Sequence, residues 1–417
     1  MRAKGLGLPN RDFRLGVYNG ILINGAEAFF HSSLVLAPFL AALGAPAVLI
    51  GLIPALRVGG WFLPQLLVAS RLAHQPFKLP WYKRLALVRV SAYSLMVMAV
   101  FALHASPQVL IWLVLAMIAV VSFAGGISGV PFADVTAKVI PHYRLGTYWV
   151  LRNVIGGVLA LISGVVLRRV LASNMPFPRN FAVLFALGTV LSAVAYIAFC
   201  SIREPAGKPA QKEAFRKMVR RIPGLLKEDV SFRRYLRVRF LTLLALLADP
   251  FYAVYALNVL DAPTTALGFF VIVFTFSTIT ANLLFRRAAD NGRNVSVFQI
   301  GVLLLLAAPL TALLMSQWQG MVVVFVLSAA GQAGIGIAAW NLLYAVSPEA
   351  QRPLYVGTAN SILSLPSLAP ILAGGIVDGI GYQLTFGIAA CIALAALSFA
   401  FRFQQLRDLD KQALQAS

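Results

Sequence analysis

Charge is scarce in this chain. Of its 417 residues only 12% are Asp, Glu, Lys or Arg, whereas 60% are hydrophobic. A soluble protein of this length could not cover its surface with so little charge. Histidine is scarcer still, at four residues, and the two cysteines, Cys200 and Cys391, stand apart in apolar runs without metal or redox spacing. Packing is the expected role of both. A membrane-embedded enzyme would need paired acids, a His-rich metal site or a nucleophile beside a base; four scattered histidines and few acids in the apolar runs do not supply one. A Walker motif is missing too, which excludes a self-contained ATP-driven pump. No catalytic residue, metal site or cofactor is therefore expected.

What the chain has instead is apolar length. Runs of about 20 to 25 residues recur throughout, enough to cross a hydrocarbon core ~30 Å thick at ~1.5 Å per residue. The expected spans are 16–40, 45–70, 85–105, 108–134, 146–170 and 181–202, then 236–260, 264–285, 295–316, 320–345, 354–377 and 383–402. The net charge of +21 does not point to nucleic acid, because of where the positives fall. With the N-terminus inside, 29 of the 35 Lys and Arg residues lie in inside segments and only Arg168, Arg169 and Arg179 lie outside. That asymmetry puts both termini in the cytosol. The opening run is followed by Phe and Leu rather than a small-residue cleavage site, so the first helix is expected to stay as an anchor. The expected location is the bacterial inner (cytoplasmic) membrane.

One substantial polar segment divides the spans into six and six. The expected domains are 1–202, a basic cytosolic linker 203–235, and 236–417. Within the linker, Phe215, Met218, Val219 and Ile222 share one helical face, while Arg216, Lys217, Arg220 and Arg221 occupy the other. Such a basic amphipathic helix suits anionic headgroups, with a solvated linker as the plainer reading. The halves also repeat. GAPAVLIG (44–51) matches DAPTTALG (261–268) at an offset of 217, and Gly129/Gly336, Pro141/Pro348, Tyr148/Tyr355 and Asn153/Asn360 match at 207, with Asp134 opposite Asn341. Duplicated bundles of this kind are the usual construction of secondary transporters, with a site near midplane between the repeats.

On these features the sequence resembles the major facilitator superfamily along essentially its whole length. RRAADNGRN (286–294) is similar to that family's loop signature, with Asp290, Gly292 and Arg293 in the matching places, and APILAGGIVDGIGY (369–382) to its Gly/Pro-rich pattern. The first-half loop, ASRLAHQPFK, departs from the signature with Ala73 where the offset predicts an acid. The fifth span has Gly156, Gly157 and Gly164 but not the Gly-Pro pair that marks many drug/proton antiporters of the family. The resemblance implies an all-α membrane protein: twelve transmembrane helices in two pseudo-symmetric six-helix bundles. It also implies a small-molecule substrate and a central cavity lined by the first and seventh helices.

Ionisable groups at membrane depth are costly and call for a reason. Glu27 and His31 are four apart, on one face if the helix is continuous. Arg57 lies at similar depth, so a structural ion pair with Glu27 competes with a proton-coupling role. Asp249 precedes Pro250, which should bend the seventh helix beside its own acid, and the 217 offset sets it opposite Ser32. Glu27, His31 and Asp249 are the proton-coupling candidates; Asn24, Arg57, Tyr252, Gln332 and Asn341 are the cavity candidates, although the polar ones could equally join helices. Asp134 and Arg152 could pair to brace the inner gate, alongside Asp290, Gly292 and Arg293. Arg89 could snorkel to headgroups and is given no role. Phe29, Phe30, Phe251, Tyr252 and Tyr255, on the expected cavity helices, lean toward an amphiphilic or lipophilic solute. The reading that unites these features is a monomeric secondary transporter working by alternating access, exporting that solute in exchange for protons. Nutrient uptake by proton symport is the alternative, and a non-transporting receptor a weaker one. Its expected partners are solute, protons and lipids with anionic headgroups, with no nucleic acid.

Overall fold

The computed structural model describes residues 11–72, 75–103, 105–207, 215–348 and 351–402. Among them are twelve helices long and apolar enough to cross a membrane. We label these α1 (Arg11–Ala42), α2 (Ala47–Leu72), α3 (Leu79–Ala102), α4 (Pro107–Val139), α5 (Leu145–Leu171) and α6 (Arg179–Cys200) in the first half. The second half contains α7 (Val230–Asn258), α8 (Ala266–Asp290), α9 (Asn294–Leu314), α10 (Trp318–Val346), α11 (Leu354–Gly379) and α12 (Tyr382–Phe401). All are helices because lipid offers the backbone no partner outside the chain itself. Helix α7 starts six residues earlier than its hydropathy suggests: Asp229 accepts a hydrogen bond from the Phe232 N–H at 2.8 Å and so caps a polar first turn. A separate helix, Phe215–Glu228, precedes it. The side chains of 215–220, which carry the expected apolar and basic faces, lie outside the described residues, as does Ala73.

The helices form two bundles of six. In the first, α1 packs on α5 and α6 while α4 packs on α2 and α3; in the second, α10 packs on α8 and α9 while α12 packs on α9 and α7. Between lipid-facing helices there is no hydrophobic driving force, so close packing by small residues carries association. A Cβ at Gly331 of α10 would lie 2.9 Å from the Gly301 carbonyl oxygen of α9, so the two backbones meet there directly.

Two helices are broken at matching places. Helix α1 runs as Arg11–Phe29, resumes as a π-helical turn Ser32–Leu36, and ends as Ala37–Ala42. Helix α7 runs as Val230–Ala245, a 3-10 stretch Leu246–Phe251 holding Asp249 and Pro250, and Tyr252–Asn258. The break in α1 corrects the expectation that Glu27 and His31 share a continuous helical face. His31 has extended backbone (φ −60°, ψ 123°), and its Nδ1 accepts from the Leu34 N–H at 3.3 Å. The imidazole therefore replaces a helical acceptor, starting the next segment.

The bundles touch chiefly at the end opposite the termini. There α2 meets α11, α5 meets α8, and Ala37–Ala42 meets Tyr252–Asn258. Asp378 of α11 accepts from the N–H groups of Ala47 (2.8 Å) and Val48 (3.1 Å), capping α2 from the other bundle. A carboxylate at a helix N-terminus is well placed for the exposed donors and the dipole.

Candidate functional site

Between the bundles, on the termini side of those contacts, lies a cavity of about 610 Å³. Asn24, Glu27 and His31 of α1, Arg57 and Trp61 of α2, Asn153 of α5, and Phe274, Thr278 and Asn282 of α8 line it. A second space of about 260 Å³ continues from His31 past Ser33 to Asp249 and Gln332. A third, about 140 Å³, runs into the first bundle between Glu27, Arg57, Arg89 and Tyr93.

Glu27 and Arg57 form an ion pair, and the Glu27 side chain keeps 43% of its exposure against 23% for Arg57. Arg57 also donates to the Phe30 carbonyl at 2.5 Å. That carbonyl is available because α1 breaks there: the Leu34 N–H, its helical partner, is turned to His31. The break and the arginine thus satisfy each other, as buried backbone polar groups require. The His31 ring also stands edge-on to Phe274 of the other bundle, with centroids 4.9 Å apart.

Asp249 is held differently. Its carboxylate accepts from the hydroxyls of Ser33 (2.7 Å) and Ser328 (2.9 Å) and from the Gln332 amide (3.1 Å), and among the described residues it forms no ion pair. Gln332 is thus a direct partner of the acid. Ser33 comes from α1, so this hydrogen bond joins the two bundles at their centre.

Several expected residues lie elsewhere. Asp134 and Arg152 do not pair. Asp134 accepts from Lys78 at 2.5 Å and forms an ion pair with Lys138 at 2.6 Å, and Lys138 goes on to Glu204 at 2.8 Å. Glu204 also accepts from the backbone of Lys78 and Leu79. This network ties the 75–79 loop to the end of α4 and the start of the linker, all beside one bundle. Arg152 is buried among Phe132, Tyr148 and Trp149, each ring 5.1–5.3 Å from its guanidinium carbon. It reaches the Tyr148 hydroxyl at 3.0 Å, Asn19 at 3.2 Å and the Gly16 carbonyl. Aromatic faces and carbonyls thus stand in for the carboxylate.

Asn341 donates to Asn294 at 2.8 Å, joining α10 to the start of α9 rather than lining the cavity. Tyr252 is buried against Phe386. Asn24 donates to the Gly20 carbonyl at 2.8 Å while lining the cavity. In the loop after α8, Asp290 pairs with Arg286 at 3.4 Å; Gly292 has φ +66°, with N–H bonds from Gly292 to Ala289 and from Arg293 to Ala288 that close the helix end. Arg89 does not snorkel outward. Its guanidinium lies 4.8 Å from the Tyr196 ring and lines the small space beside Glu27 and Arg57, and its Nε is buried with no hydrogen-bond partner among the described residues. An expected span beginning at 85 sets Arg89 within about one turn of the helix end, at headgroup level; α3 in fact begins at Leu79, so Arg89 lies ten residues along it, and the rotation of α3 aims it inward. Ser33, Ser328 and Asp378 carry no signal in the sequence, since small hydroxyls and a near-terminal acid look ordinary there.

Phe29, Phe30, Phe251, Tyr252 and Tyr255 are all buried, and of the five Phe30 alone borders one of these three spaces, the small one beside Glu27 and Arg57. The aromatic lining comes instead from Trp61, Phe62 and Phe274, among many amides and hydroxyls.

Residues 240–415 match the family model described as Major Facilitator Superfamily. A comparison with curated proteins finds no match. Among solved structures the fold is similar to that of a POT family transporter in complex with 5-aminolevulinic acid (TM-score 0.74, 11% identity, 97% of this chain and 99% of that one covered). It is likewise similar to the nucleoside transporter NupG (TM-score 0.73, 13% identity, 95% and 100%) and to a D-xylose-proton symporter (TM-score 0.67, 13% identity, 94% and 97%). The twelve-helix, two-bundle architecture is thus the fold of these solved transporters, and the second half of the chain carries the match to the Major Facilitator Superfamily model.

Proposed function

We propose that this protein is a secondary transporter of the major facilitator type, coupling proton movement to the passage of a small amphiphilic organic solute. One observation carries the reading: each bundle brings a carboxylate to the space between them, Glu27 beside Arg57 and Asp249 among neutral donors only. Protonation of Asp249 would turn its charge-assisted hydrogen bond from Ser33 into a weaker neutral one. The central tie between the bundles loosens, and the balance between the two arrangements shifts. Glu27 does the same for its pair with Arg57. The mixed lining of amides, hydroxyls and three aromatic rings favours a solute with a polar and an apolar side; the burial of the other five aromatics argues against a purely lipophilic one. Export in exchange for protons is the working direction.

The test begins with thermal-shift screening of sugars, amino acids, peptides and amphiphilic drugs on the purified protein. A ligand at ~100 times its Kd stabilises by ~2.7 kcal/mol, which such a screen detects. Hits then go into proteoliposomes with an imposed pH gradient. Solute movement that collapses with a protonophore supports coupling, and its direction relative to the gradient separates antiport from symport. Movement indifferent to the gradient would sink the proposal.

The proposed division is two bundles, 1–202 and 236–417, around the linker, with the termini and linker in the cytosol. In a background lacking Cys200 and Cys391, a cysteine at Lys227 should resist a membrane-impermeant thiol reagent in intact cells. One at Ser173, between α5 and α6, should react. The reverse pattern would overturn the orientation.

A further inference from the structure

We infer that the recess lined by Arg57 and Arg89 inside the first bundle receives a carboxylate group of the transported solute. The inference rests on the solute cavity of the proposed function, and on neither its coupling nor its direction. The recess holds about 140 Å³ and shares Glu27, Arg57 and Trp61 with the main cavity. A solute can therefore place one end in it and leave the remainder among the amides, hydroxyls and rings outside. Charge decides what that end must be. Residues 1–202 contain three acids, Asp12, Glu27 and Asp134. Asp12 lies in the first turn of α1, fifteen residues before Glu27, and Asp134 is held by Lys78 and Lys138. Glu27 is thus the one acid of this bundle that lines the recess, and it faces two guanidinium groups. The rest of the wall is apolar apart from the hydroxyls of Tyr93 and Ser122.

An excess positive charge between such walls is costly. One carboxylate cancels it. A phosphate dianion would replace it with an excess of the opposite sign, and a neutral group would leave it in place. The two arginines divide the work. Arg57 commits its terminal nitrogens to Glu27 and the Phe30 carbonyl, so it contributes charge. Arg89 is the anchor. The Tyr196 ring lies 4.8 Å from its guanidinium carbon, and α4 passes close by at Gly125, where an added Cβ would sit 3.5 Å from the same carbon. An aromatic face stabilises a cation without accepting along its fork of N–H groups. A carboxylate in the recess offers that fork two oxygens.

The experiment uses the purified full-length protein with acetate, benzoate and phenylacetate, each beside its primary amide, and reads dissociation constants by calorimetry. At least one carboxylate should bind about tenfold tighter than its amide, since only the acid brings charge and two acceptor oxygens. Arg89→Gln should bring that ratio close to unity. A substitution that merely loosened the fold would weaken acid and amide alike and leave the ratio unmoved. If the glutamine variant does not fold, Arg89→Lys is read in its place; it keeps the charge but not the fork, and the ratio should fall about threefold. Equal binding of acids and amides by the parent, or a ratio unchanged in the variant, overturns the site. Tighter binding of phenyl phosphate than of every carboxylate overturns the charge match. Carboxylates that bind as expected but cross proteoliposomes regardless of the pH gradient sink the coupling and leave this site standing.

Discussion

Exchange of Glu27 for glutamine should yield a folded, solute-binding protein that no longer accumulates solute against a gradient. With one pH unit imposed, each coupled proton is worth ~1.4 kcal/mol, so accumulation in proteoliposomes should fall about tenfold per proton lost. Equilibrium exchange of solute across the same membranes should persist. Glutamine copies the protonated carboxyl in size and hydrogen bonding, fixing the protein in one protonation state rather than emptying the site. Folding survives because Arg57 keeps the Phe30 carbonyl as partner and because Glu27 is open to the cavity rather than sealed. Breaking a fully buried pair costs ~3–5 kcal/mol, an upper bound here. The companion Asp249→Asn separates the halves: if it too abolishes driven accumulation, both bundles carry protons. Should the Glu27→Gln protein accumulate solute as well as its parent, the ion pair is only structural.

The parts of this architecture that were legible in the sequence are those that lipid imposes. Span length and number follow from the thickness of the solvent, and they reappear as twelve helices. The repeat reappears in conformation as well as in residue type. Gly44 and Asp261, related by the 217 offset, both have positive φ, at +80° and +51°. At the same offset, Gly51 and Gly268 both face the opposite bundle, meeting Pro370 and Arg168 respectively. The breaks in α1 and α7 follow the same relation. Illegible were the partners of long side chains. Asp134 was in reach of a lysine one turn away on its own helix and of another on the 75–79 loop, and periodicity cannot rank those against Arg152. Arg89 and the five misplaced aromatics depended on helix rotation, which packing alone sets. A helix apolar all round carries little moment to say which face turns inward.

The same pseudo-symmetric glycines make the strongest test of alternating movement. Gly51 of α2 lies against the α11 backbone, where an added Cβ would sit 2.9 Å from the Ile371 nitrogen and closer still to the Pro370 carbonyl. Backbone cannot step aside as a side chain can, so Gly51→Leu should keep the bundles apart at the end opposite the termini. Overpacking by ~3 kcal/mol is enough to move a balanced equilibrium by about a hundredfold. Transport should then drop at least tenfold, while purification and bundle packing persist, because the clash exists only in the closed arrangement. The displaced state can be read directly. A cysteine in place of Ser32, which lines the cavity, should react with an impermeant thiol reagent from that side at least tenfold faster in the Gly51→Leu protein than in its parent, which visits that arrangement only during its cycle. Gly336, with nothing within 4 Å of the added Cβ, serves as the control: its change to alanine should leave transport as it was. Full transport by a folded Gly51→Leu protein would mean that the contact between α2 and α11 need not close during the cycle, and that the bundles do not rock about it.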